Sequence, residues 1–266
     1  MRPFLLFLML FSVCSIFSQD LTICNWKGGK KAAVVLTFDD WLEGHEKIAV
    51  PMLIEKHVPA TFFITLNNVS RTKENIAVLN KAQSKGLEIT NHTVSHPDLT
   101  SIPIAKAKEE IETTRDFILD SVSGGKSLTF AYPMGTKNIE VIDHLKKNHI
   151  GARGVSAANE GALKYDFVVT EDDYYRIKTL RVWRILSQSK VGKWMSYVKK
   201  EGGLLTFMIH SVYNDTVSKG WDAMPEEFLS NMLDTLNSHK KDIWICTFED
   251  AIQYHREKAN ARIEVL

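Results

Sequence analysis

Seven apolar runs rich in β-branched and aromatic residues recur along the chain: Ala32–Phe38, Ala60–Ile64, Leu87–Thr90, Leu128–Tyr132, Gly151–Val155, Leu204–Ile209 and Ile243–Phe248. Each is short and bounded by polar or turn-forming residues, which predicts strands. Between and after them lie longer stretches with apolar residues three and four positions apart, from His45–His57, Lys73–Gly86, Ile102–Val122, Asn138–Asn148, Ser189–Gly202, Pro225–Lys241 and Glu249–Arg262. That spacing predicts helices. Strand and helix alternate without a break, which implies a parallel sheet. Seven such units in one chain suggest a barrel in a single domain, with an open doubly wound sheet as the alternative.

The first twenty residues stand apart from this pattern. Arg2 precedes an apolar stretch from about Phe4 to Phe17, followed by small and polar residues. The arrangement is that of a secretory signal peptide over residues 1–19, with one domain from 20 to 266. The apolar stretch is too short to span a bilayer comfortably, and no later segment offers an integral span. We therefore expect a secreted or periplasmic protein. The full chain carries 33 basic and 32 acidic residues, and losing Arg2 with the leader balances them. Such a balance provides no footprint for nucleic acid. Cys24 and Cys246 remain after the leader; in an oxidising compartment they could pair, or stay two small apolar side chains.

In a barrel of parallel strands the reactive groups sit where strands end in their C-terminal loops. The first run ends in Asp39 and Asp40. Neighbours on a strand point to opposite faces, so both can serve one site only where the strand stops and the chain turns. The third run leads into His92 and His96, whose spacing suits two ligands of one zinc-like ion. Two histidines and one carboxylate leave a coordination position for water, as a catalytic metal site requires. The fourth run enters the turn Ala131-Tyr132-Pro133-Met134-Gly135, which could offer a backbone N–H to an oxyanion. The sixth run ends at His210, the natural general acid of the set.

These elements, Thr37-Phe38-Asp39-Asp40, His92-Thr93-Val94-Ser95-His96, Ala131–Gly135 and Met208-Ile209-His210, resemble in type and order the polysaccharide deacetylases of carbohydrate esterase family 4. The resemblance runs roughly from Ala32 to His210 and implies a distorted (β/α) barrel of about seven parallel strands. It also implies a divalent metal, commonly zinc, held by Asp40, His92 and His96, with Asp39 as catalytic base and His210 as catalytic acid. The implied partner is an acetylated carbohydrate, with Met134 and Tyr132 placed to meet the oxyanion or the substrate.

The chain departs from the family pattern at three positions. Trp41 stands where the family has glycine, and we expect its ring at the rim, shaping the sugar-binding surface or narrowing access. Ala131 stands where the family has an arginine that orients the base, and Met134 where it has tyrosine. Arg153 is the expected substitute for that arginine, with Arg181 and Arg184 as alternatives, and Trp183 is a candidate apolar wall. The expected activity is removal of N-acetyl groups from a polysaccharide or cell-wall glycan. The alternatives are an O-acetyl esterase and a carbohydrate-binding relative without turnover. Glycosylation sequons occur at Asn68, Asn91 and Asn214; a glycan on Asn91 would crowd His92, so that residue should be unmodified.

Overall fold

The structure, a computed structural model, describes residues 23–155, 171–182 and 187–263. The leader, Trp183 and Arg184 lie outside the described residues.

All seven expected strands form. They are β1 (Ala32–Asp39), β2 (Thr61–Ile64), β3 (Glu88–Asn91), β4 (Thr129–Ala131) and β5 (Gly151–Arg153), followed after β6 (Leu180–Arg181) by β7 (Leu204–Ile209) and, later, β10 (Ile243–Cys246). With β6 they make one parallel eight-stranded sheet, ordered β5-β4-β3-β2-β1-β7-β6, with β10 also on β1. The seven expected helices are present as α1 (Val50–Glu55), α2 (Lys73–Ser84), α3 (Ile104–Ser121), α4 (Ile139–Leu145), α5 (Gln188–Glu201), α6 (Glu226–Ser238) and α7 (Phe248–Asn260). A small parallel pair, β8 (Val212–Tyr213) with β9 (Met224–Pro225), follows β7. The sheet is thus the distorted barrel expected.

The distortion has two sources. Strand β1 changes partner along its length: Ala32–Val35 pair with β10, and Thr37–Asp39 pair with β2. Among the described residues, the far edges, β5 and β6, are linked through a short irregular segment. Ile177 bridges to Arg153 on β5, and three residues later Leu180 pairs with Phe207 on β7. Every residue of β1 and β7 is buried, as expected of strands covered on both faces.

Two apolar cores result. Alternate residues of β1 divide between them: Val34, Leu36 and Phe38 join the larger, under α1, α2, α5 and α6, and Ala33 and Val35 the smaller, with α3, α4 and α7. Cys24 is exposed and Cys246 buried, and both are free thiols. No helix among the described residues is long and apolar enough to cross a membrane.

Candidate active site

Asp39 and Asp40 end β1 as the alternation of the strand breaks. Asp40 takes a left-handed backbone (φ 77°), a conformation that aspartate tolerates better than most residues. Its N–H donates to Phe63 and its carbonyl accepts from the Asn68 side chain at 2.8 Å. Both carboxylates therefore border one cavity of about 440 Å³, with His92, His96, Tyr132, Met134, Val155, Arg181, Met208, His210 and Trp221.

Asp40, His92 and His96 present three ligand atoms within 4.8 Å of one another. Nε2 of His92 and of His96 lie 3.7 and 3.8 Å from the same Asp40 oxygen. Tetrahedral ligands at about 2.0–2.1 Å from zinc would be spaced by about 3.4 Å, so the trio fits such an ion with small adjustment. Nδ1 of His92 lies 2.7 Å from the Ala131 carbonyl, which obliges it to carry the ring proton and leaves Nε2 as the donor to a metal. Burial, before all else, lowers the His92 pKa from 6.5 to about 3, so the ring is neutral as a ligand must be.

Asp39 is buried beside this trio. Its Oδ1 is ion-paired with the Arg153 guanidinium, and its Oδ2 lies 3.9 Å from Nε2 of His210. Arg153 is fully buried, lies over the Phe63 ring at 4.5 Å, and has its pKa lowered by burial against the opposing pull of Asp39. Of the two candidate arginines among the described residues, Arg153 is the one that meets Asp39. Arg181 instead pairs with Asp222 at 3.0 Å.

His210 follows β7 at the cavity wall, with its Nδ1 3.1 Å from Asp222 and its ring edge-on to Trp221 at 4.5 Å between centroids. Its backbone carbonyl lies 2.5 Å from Nε2 of His45. Nδ1 of His45 accepts the Leu42 N–H at 3.1 Å, so Nε2 is the protonated nitrogen and donates to His210. Burial lowers the His45 pKa to about 4, consistent with a neutral ring. One residue earlier, Gly44 packs so closely that a Cβ would stand 2.0 Å from the Val212 carbonyl oxygen. The loop leaving the Asp pair is thus held directly against the strand end that carries His210.

Trp41 does not stand at the rim. It too has a left-handed backbone (φ 58°), and this directs the indole inward, where it is 2% exposed, edge-on to Phe62 and bonded through Nε1 to Glu46 at 2.6 Å. A glycine would adopt the same backbone without strain; here the buried ring offsets it. Among the described residues, the exposed aromatic of the cavity is Trp221, with 63% of its surface accessible, and Met134, which also lines the cavity, is equally exposed. Met134 also has a positive φ (56°), in the Pro133–Gly135 turn. Tyr132 lines the cavity, but its hydroxyl donates to the Tyr175 carbonyl at 3.0 Å and burial raises its pKa.

Trp221, Asp222 and the buried role of His45 were not found from sequence. An aromatic followed by an acid in the polar stretch Lys219-Gly220-Trp221-Asp222 is a faint signal, and nothing in a local pattern places it beside His210.

Residues 27–152 match the family model described as polysaccharide deacetylase. Among curated proteins, the chain is 32% identical over 95 residues to a chitooligosaccharide deacetylase of Rhizobium leguminosarum bv. trifolii, covering 35% of this chain and 43% of that protein. It is 26% identical over 119 residues to the peptidoglycan-N-acetylmuramic acid deacetylase PdaA of Bacillus subtilis, 44% of each. The chain thus matches less than half the length of these relatives. A solved family 4 carbohydrate esterase from Streptomyces lividans shares the fold, with a TM-score of 0.52 at 18% identity over 82% of this chain and 92% of that one.

Proposed function

We propose, from the premise that residues 27–152 are of the polysaccharide deacetylase family, that the protein is an exported, divalent-metal-dependent hydrolase removing N-acetyl groups from a polysaccharide or cell-wall glycan. One observation carries the reading. The metal-ligand trio Asp40, His92 and His96 opens onto the same cavity as the buried acid–base pair Asp39 and His210.

Asp40, His92 and His96 would hold the ion, most readily zinc given two imidazoles and one carboxylate. Such an ion, when bound, polarises the acetyl carbonyl and acidifies a water. Asp39 takes the proton of the attacking water at Oδ2, while Arg153 fixes the carboxylate through Oδ1. The Met134 N–H is the oxyanion donor in this reading. As the amide C–N bond breaks, His210 gives the proton from Nε2 to the departing nitrogen, and Asp222 at Nδ1 stabilises the charged ring and sets its orientation. Acetate and a free amine result. An amine leaves only when protonated whereas an alkoxide is a better leaving group, so the Asp222–His210 pair favours N-acetyl over O-acetyl substrates. Trp221 and Met134 would provide apolar walls for a sugar ring.

Acetate release from a panel of N- and O-acetylated glycans, with chelation and metal add-back, tests the reading. The expected result is turnover that chelation abolishes and zinc restores, and that falls by about 10²–10⁴ in Asp39→Asn. No release by wild type with metal present would favour the carbohydrate-binding alternative, and turnover untouched by thorough chelation would overturn the metal-dependent mechanism.

A further inference from the structure

The loop from His92 to His96 is held from beneath by one carboxylate. Glu110, on α3 and 5% exposed, accepts the Val94 N–H at 2.9 Å and the Ser95 N–H at 2.8 Å on one oxygen, and the Ser95 hydroxyl at 2.7 Å on the other. Two successive backbone N–H groups converging on an anion form a concave binding nest. The loop needs such support, because Thr93 (φ 69°) and His96 (φ 59°) both carry left-handed backbones without being glycine. Left-handed conformations of that kind are strained and persist only where the surroundings impose them.

The rest of the scaffold is built to the same end. Asn91 accepts the Thr93 N–H at 2.9 Å and donates to the Ile111 carbonyl at 2.8 Å, one residue along α3 from Glu110. The Thr93 hydroxyl accepts the His96 N–H at 3.1 Å. Outward, the carbonyls of Thr93 and Val94 accept N–H groups from Leu66 and Asn67. Glu110 is the only ionisable side chain among these bonds, and it holds Val94 and Ser95, which lie between His92 and His96 in sequence.

We infer that Glu110 is a positioning residue that sets metal affinity, by holding the Val94–Ser95 peptides so that His92 and His96 converge on one ion. The inference rests on the metal-site reading above. Without the carboxylate, three donors lose their acceptor and the left-handed residues at 93 and 96 are free to relax. The imidazoles must then be ordered at the moment of binding. Loss of supporting contacts of this kind typically weakens metal binding by about 10–100-fold.

The test is zinc titration of the metal-free protein by calorimetry, together with the visible spectrum of the cobalt-substituted protein, which reads ligand geometry without substrate. Glu110→Gln keeps the size but turns an amide N–H₂ toward one of the donors; it should bind zinc about 10–100-fold more weakly and change the cobalt bands. Ser95→Ala, at an exposed position, removes a single bond and should weaken binding several-fold even if Glu110→Gln folds poorly. Glu109→Gln, exposed on the same helix, should leave zinc binding unchanged. Wild-type zinc affinity and wild-type cobalt spectra in folded Glu110→Gln, or in Ser95→Ala where Glu110→Gln does not fold, would overturn the inference. Failure of the wild type itself to bind zinc would overturn the metal-site reading, and the inference with it.

Discussion

Replacing Arg153 by Met offers the sharpest test of how the buried acid is held. Methionine keeps the length of the stem and its packing on Phe63 and Met208 but deletes the guanidinium. Arg153 and Asp39 have 0% and 3% of their side-chain surface accessible, so the pair is shielded from bulk solvent. Breaking a buried pair from one side costs about 3–5 kcal/mol, because a charge is left uncompensated. Removing both charges, in Asp39→Asn with Arg153→Met, should cost clearly less than the sum of the singles, with a coupling of about 2 kcal/mol or more. Urea unfolding of the metal-free proteins at neutral pH measures all four corners of the cycle. Acetate release should fall in both single variants and not recover in the double, since stability is regained without a base. A loss below about 1 kcal/mol in Arg153→Met, or additive singles, would refute the argument that this pair is energetically coupled.

Three further outcomes follow from the geometry. Glu88, buried at the start of β3, accepts from Thr61 at 2.7 Å, from Thr129 and from the Glu249 N–H at 2.9 Å, and burial pushes its pKa from 4.5 up to about 7. The folded state then holds this proton more tightly than the unfolded chain, so its contribution is greatest below about pH 4.5 and is lost as pH rises to about 7. The melting temperature of wild type should therefore fall relative to Glu88→Gln across that window; parallel curves would contradict it. Trp221→Ala should raise KM for a glycan about tenfold through loss of a large apolar contact, with zinc affinity unchanged; an unaltered KM would remove Trp221 from the substrate surface. Asn91 is fully buried, with its side chain bonded to Ile111 and Thr93. Mass spectrometry of protein made in a glycosylating host should find the Asn91 peptide unmodified, and a glycan there would mean this loop is not folded as described.

The fold was legible because the helices are long enough to show their repeat and the strands fall within apolar, β-rich runs bounded by polar or turn-forming residues. Strand β6 escaped because two residues, Leu180 and Arg181, have no period. The rim residues Asp39, Asp40, His92, His96 and His210 could be located because strand ends follow from strand limits. Trp41 was misplaced at the rim because the direction of its ring depends on the sign of one backbone angle, which residue type does not reveal. The contact between Arg153 and Asp39 joins strands separated in the sheet by β4, β3 and β2, and exists only because the sheet curls. Asp222 reaches His210 for a related reason. Its loop lies between β8 and β9, and the Met224 N–H donates to the Ser211 carbonyl at 2.9 Å, folding that loop back onto the end of β7.

The divided pairing of β1 has a kinetic consequence. This strand is at the centre of the sheet yet comes first in the chain, and two of its partners, β7 and β10, are among the last segments to be made. A chain emerging from its N-terminus can pair the end of β1 with β2 early, but the edge that takes β7 and the stretch that takes β10 stay open until nearly the whole sequence is available. Such long-range closure slows folding and prolongs exposure of a sticky edge. Closure of the sheet thus waits on β10, the last strand to be made.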